Sequence, residues 1–146
     1  MQTPWRGLLR HAEAVVTLIT VRIAVAVLPP RAVTALLGPV AGTPPVDSAP
    51  PNAFLGDASE AARTIPDTLV RAARWLPWRS NCLVLAVAGR LMFARRHIPS
   101  AIHLGVRSSH GFFAAHAWLI AYGVIVLGGE EVDRYVPLAS FGRTTK

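Results

Sequence analysis

The sequence predicts an α+β fold, with helices gathered in roughly the first two thirds and short antiparallel strands in the last third. Apolar residues recur at steps of three and four as far as His97. After Ile98-Pro99 the character changes to short apolar runs separated by turn residues. Tyr122-Gly123 then divides the last two runs as a hairpin turn would. Helices segregated from strands in this way argue for α+β rather than alternating α/β architecture.

Trp5 to Leu28 is a nearly unbroken apolar pattern without glycine after Gly7, and it reads as a helix stopped by Pro29-Pro30. A second short helix is expected from Arg31 to Leu37, closed by Gly38 and Pro39. The stretch from Pro39 to Asn52 holds five prolines among Gly, Ser and Thr, which suits a linker or an extended surface segment. The soft boundary falls there: residues 1–52 read as an N-terminal helical extension with its linker, and residues 53–146 as a catalytic domain. Ala53 to Arg63 and Pro66 to Trp75 are expected as two helices. The second has Pro66 at its first position, where a missing N–H costs nothing, and Asp67 near the positive end of the helix dipole. Asn81 to about His97 is the best-supported helix, with Leu83, Val87, Leu91 and Ala94 on one stripe and Arg95-Arg96 at its C-terminal end. Ala101 to Val106, Phe113 to Ala121 and Val124 to Leu127 fit three strands. Glu130, Glu131 and Asp133 read as a solvated, acid-rich start to a short C-terminal turn or helix.

The composition is 52% hydrophobic and 16% charged, apolar enough to suggest that a membrane or a partner covers some of the surface. Net charge +7 would attract acidic peptides, anionic lipid or nucleic acid alike. The arginines are dispersed, no aromatic platform alternates with them, and no zinc-finger or RNA-binding signature occurs, so a nucleic-acid partner is not expected. Ala14 to Leu28, interrupted by Arg22, is about 15 residues long and short of the roughly 20 needed to span a bilayer. With Glu13 just before it and no small-residue cleavage site after it, it reads as a helix lying on a partner or a membrane surface rather than as a signal peptide. A single cysteine can form no internal disulfide and no cysteine-rich zinc site, and a reducing cytoplasm suits it.

That cysteine, Cys82, follows a good N-cap residue, Asn81. It therefore falls in the first helical turn, where unpaired N–H groups and the helix dipole favour an anion. An anionic sulfur is the nucleophile, and the same N–H groups would face a developing oxyanion. The plainer alternative is a small buried hydrophobe. His116, bracketed by Ala115, Ala117 and Trp118, needs a partner or a purpose in so apolar a strand and is the first choice of base; His103 is the second. His11, His97 and His110 read as solvated. No histidine pair has the helical spacing of a zinc peptidase, and neither a phosphate-binding glycine loop nor a Gly-x-Ser-x-Gly elbow occurs, so no cofactor or metal is expected. Trp118 packs beside the imidazole in this reading, Trp75 and Trp78 flank the approach to Cys82, and Arg79 either holds substrate carbonyls or solvates its loop.

Trp75 to Leu138 resembles the leader peptidases of lasso-peptide biosynthesis, a branch of the transglutaminase-like cysteine peptidases. The likeness is carried by Pro77 and Arg79 ahead of Cys82-Leu83, by Arg95-Arg96-His97-Ile98-Pro99, by Leu104-Gly105-Val106-Arg107, by Ala115-His116-Ala117-Trp118 and by Tyr135-Val136-Pro137-Leu138. The resemblance implies a papain-like or transglutaminase-like core in which the Cys82 helix packs on an antiparallel sheet. It also implies a hydrolase that frees a ribosomally made precursor from its leader, with a small recognition protein holding that leader and an ATP-dependent cyclase acting next. The family's third catalytic residue, an acid that orients the histidine, is expected about twelve residues past His116, where this chain has Gly128. Glu130 could reach back from a bulged strand end and is the candidate third member; a backbone carbonyl, a water or no third member are equally open. Two alternatives accompany the peptidase reading: a non-catalytic scaffold that binds the precursor, and an acyltransferase that uses the same Cys-His pair.

Overall fold

The computed structural model describes residues 4–42, 57–78, 81–122 and 124–142 of the chain. Four helices, α1 (Pro4–Val27), α2 (Pro30–Leu37), α3 (Asp57–Trp75) and α4 (Cys82–Arg95), pack on one side of an antiparallel sheet. The strands are β1 (Val40–Gly42), β2 (Ser100–Ser109), β3 (Phe112–Ala121), β4 (Val124–Leu127) and β5 (Val136–Gly142), ordered β1-β5-β2-β3-β4. The expected α+β core, with Cys82 on a helix packed against the sheet, is what the chain forms.

Helix α4 is the centre of the molecule. Val84, Val87, Ala88, Met92 and Phe93 have no solvent exposure, and the helix is apolar nearly all round, as a helix enclosed by others must be. It approaches the sheet closely because residue 89 is glycine: a Cβ there would lie 2.7 Å from Leu119 Cδ2 and 2.9 Å from Leu127 Cδ1. Ala14, Leu18 and Val21 of α1 belong to the same core as α3 and α4. The boundary expected at residue 52 lies outside the described residues. Glu13 joins α1 to the far end of α4, with Arg96 donating to both carboxylate oxygens (3.1 and 2.7 Å) and Arg95 to one (3.0 Å). Arg96 holds the Glu13 carboxyl below the usual carboxylate range, against the opposing effect of burial.

Two helices were expected where one is found. Helix α3 runs through Pro66, and the described part of the expected Ala53–Arg63 helix is continuous with the Pro66–Trp75 helix. Pro66 removes a hydrogen bond to the Ala62 carbonyl, at a cost of about 3 kcal/mol. The stripe Ala62, Ile65, Leu69, Ala72, all at most 3% exposed, continues across it at steps of three, four and three. Burial of Ile65 and Leu69 alone is worth about 1.5–3 kcal/mol each, so packing outweighs the broken turn.

Strands β2, β3 and β4 fall where expected. Ala121 pairs with Val124 across Tyr122-Gly123, and β2 and β3 join through His110-Gly111, both at positive φ as a type I′ turn requires. The acid-rich segment is a 3₁₀ turn, Gly129–Arg134. The strand after it, β5, was not expected. It lies between β1 and β2, with the pairing shifting by one residue where Leu104 faces Ala139 and Gly105 faces Pro137. That bulge accommodates a proline that otherwise argues against a strand. Val40–Gly42, expected as linker, adds a short strand beside β5.

Candidate active site

Asn81 caps α4 as expected: its side-chain oxygen accepts from the Val84 N–H at 2.9 Å, which leaves Cys82 as the first helical residue. Cys82 is half-buried. It lines a cavity of about 270 Å³ together with Val70 of α3, Leu85 of α4, Leu127 of β4 and, from the sheet edge, His116, Ala117, Gly128 and Glu130. The two residues chosen from sequence as nucleophile and base therefore share one cavity.

The imidazole arrives there by an unexpected route. Side chains alternate along a strand, and Ala117 and Leu119 face the helices, so His116 and Trp118 spring from the opposite face of β3. Its ring is held there by stacking on Tyr135 (centroids 5.0 Å apart) and on Trp118 (6.0 Å), while Arg107 lies over the other aromatic partner, Tyr135. From that face His116 reaches the cavity at the edge of β3, beside the end of β4. No hydrogen bond joins its ring to Cys82 Sγ in this conformation; catalytic contacts in substrate-free enzymes are often long and tighten on binding.

His116 Nε2 lies 2.6 Å from the Gly128 carbonyl oxygen. A carbonyl only accepts, so Nε2 carries the proton and donates it, and Nδ1 is left with the lone pair a base needs. Gly128 can present that carbonyl because it is glycine. Its φ of +76° is in the left-handed region, and a Cβ on it would stand 2.7 Å from the Ala117 carbonyl oxygen and 3.2 Å from Trp118 Cα. A side-chain acid cannot occupy residue 128 in this backbone. Glu130 is exposed and lines the cavity but makes no hydrogen bond to His116. The group that orients the imidazole is the carbonyl that the sequence left as one of several options.

Trp118 is buried, with 2% exposure, and stacks on His116, but it does not line the Cys82 cavity. Trp78 is half-buried, with its indole N–H enclosed and unpaired among the described residues; Arg79 lies outside the described residues. His103 is buried against the edge of Trp118, and burial lowers its pKa. It sits on the sheet face away from the helices and does not line the Cys82 cavity. His97 and His110 are exposed as expected, whereas His11 is half-buried in a second cavity between α1 and α3. Tyr135 was missed as a site residue; its signal was its place just before a strand that itself went unrecognised. Among the described residues no three His, Cys, Asp or Glu side chains converge as metal ligands, and no helix is long and apolar enough to cross a membrane.

A cysteine heading a buried helix, packed on an antiparallel sheet that supplies a histidine, defines a fold on which thiol acyl-transfer chemistry is built. The family model of the Transglutaminase-like superfamily matches residues 24–140, from within α1 to within β5, and the chain belongs to that superfamily. The superfamily includes cysteine peptidases, and its fold serves both peptidases and acyltransferases. No curated protein and no solved structure matches the chain.

Proposed function

We propose that the chain is a cysteine peptidase that removes the leader from a ribosomally made lasso-peptide precursor in the cytoplasm. It acts with a small leader-recognition protein and ahead of an ATP-dependent cyclase. The observation that carries this reading is the shared cavity of Cys82 and a His116 whose proton is committed to the Gly128 carbonyl, so that Nδ1 is the free base. In the reaction, Cys82 gives its proton to Nδ1 and the sulfur attacks the scissile carbonyl. N–H groups of the first turn of α4 receive the oxyanion. The imidazolium then returns the proton to the departing amine, and water, deprotonated by the same nitrogen, releases the acyl group from sulfur. The partners and the precursor rest on the sequence resemblance.

The outer face of α1 supports a partner or peripheral membrane contact: Trp5, Leu9, Val16, Ile23 and Val27 recur at steps of about four and seven and are between 57% and 75% exposed. Two observations favour a second reading, a scaffold that binds precursor without cutting it: the thiol and the ring are not hydrogen-bonded, and the orienting group is an uncharged carbonyl. Mass spectrometry of the cognate precursor, incubated with the recognition protein and either the native chain or Cys82→Ala, separates the two. Cleavage at one bond by the native chain alone is the expected result. Retention of uncut precursor by both chains would leave the scaffold, and a product carrying an added amine would mark an acyltransferase.

A further inference from the structure

Strand β3 is paired with β2 along its whole length, but on its other side it is paired with β4 only at Leu119, Ile120 and Ala121. The Ala117 carbonyl points to that second side, toward Gly128. Backbone groups along an antiparallel strand alternate sides residue by residue. Phe113 and Ala115 therefore present both N–H and C=O to the side that β4 has vacated, and among the described residues no backbone group of another element meets them. Solvent reaches this edge: Phe112 is 80% and Phe113 82% exposed, and Ala115 is exposed too.

Open edges invite pairing with another chain, and proteins ordinarily close them with charges, proline or a bulge. From Phe112 to Trp118 there is no Asp, Glu, Lys, Arg or Pro, and the pairing with β2 has no bulge. The edge also leads to the chemistry, because Ala117 and His116, its next residues, line the cavity that holds Cys82. We propose that the free edge of β3 from Phe112 to His116 seats an extended peptide substrate as an added strand and delivers its scissile bond to Cys82. This inference rests on the peptide-cleaving reading of the cavity. The added segment takes the sheet position that β4 leaves open. It bonds to Phe113 and Ala115, spans about 16 Å at roughly 3.3 Å per residue, and sets alternate side chains beside Phe113 and over the small Ala115. The substrate class is thus an unfolded segment with apolar or small residues at alternate positions next to the cut, without proline at the positions that donate to the edge.

The test is backbone NMR of the Cys82→Ala chain titrated with a short peptide of alternating valine and serine, and with two twins, each N-methylated on one of the two sets of alternate amides. Saturable shifts at the Phe113 and Ala115 amides are expected, with at least tenfold weaker binding of one N-methylated register and of the plain peptide to Ala115→Pro. Shifts confined to other elements, or equal binding of every methylated register, would overturn the proposal. Iodoacetamide labelling of native Cys82 is read separately. An inert thiol with responsive edge amides sinks the peptidase and leaves the edge, whereas a reactive thiol with silent edge amides sinks the edge alone.

Discussion

Replacing Gly128 by aspartate would install the acid that the family resemblance leads one to expect, yet the geometry predicts damage rather than gain. The residue sits at φ +76°, where an L side chain costs about 1–2 kcal/mol. Its Cβ would also meet the Ala117 carbonyl oxygen at 2.7 Å, a backbone atom of a paired strand that has no room to yield. The loop must move, and the carbonyl 2.6 Å from His116 Nε2 moves with it. Loss of a hydrogen bond to a group that becomes charged is worth about 1.5–3 kcal/mol, or roughly 10- to 150-fold in rate. The thermal midpoint should fall by about 5 °C from the strain alone, at 2–4 °C per kcal/mol for a chain of this size. The assay is kcat/KM for precursor cleavage, with Gly128→Ala beside Gly128→Asp. Both variants should be slower by at least tenfold and less stable. A Gly128→Asp chain that cleaves as fast as the native one, or faster, would refute the carbonyl as the orienting group.

Stability should fall in two stages on acidification, read as thermal midpoint against pH. His103 has its folded pKa lowered by burial, so the unfolded chain takes up its proton first, and stability present above about pH 6.5 is lost below it. His103→Gln should flatten that stage. Glu13 has its folded pKa lowered by Arg96, so its contribution is present above about pH 4.5 and lost as pH falls further; Glu13→Gln should remove the lower stage. If α1 rests on a membrane surface, the chain should co-sediment with vesicles containing anionic lipid, and Val16→Glu with Ile23→Glu should abolish this, since both side chains are exposed and face away from the core. Unchanged sedimentation of that double variant would exclude the outer face of α1 as the contact.

What was legible in the sequence was what local chemistry decides. Asn81 caps whatever helix follows it, so the position of Cys82 at the head of α4 could be read without knowing the fold. Alternation and turn residues marked β2, β3 and β4 for the same reason. Long-range packing decided the rest. Pro66 looked like a helix start because the stripe of Ala62, Ile65, Leu69 and Ala72 that carries α3 through it is held by other elements. Pro137 concealed β5 because only the pairing partner reveals the bulge that tolerates it. The group that holds His116 has no side chain. A sequence displays side chains, while every residue has a carbonyl, so the choice of Gly128 over Glu130 could come only from the turn that aims it.

The site draws on both faces of the sheet. Cys82 comes from the helical layer, and His116 from the far face, where Tyr135 and Trp118 clamp its ring. The two line one cavity at the edge of β3, where β4 stops at Leu127 and the chain turns at Gly128. Had β4 continued in register, its backbone would have filled the space beside His116 and closed both the cavity and the open edge. The short strand, the left-handed glycine and the unprotected Phe112–His116 edge therefore have a common origin. The same early termination that aims a carbonyl at the imidazole also leaves a strand-sized vacancy leading to the thiol. A cysteine and a histidine lining one cavity at a sheet edge suit a substrate that can itself become a strand, which is the property of an unfolded segment and not of a folded protein.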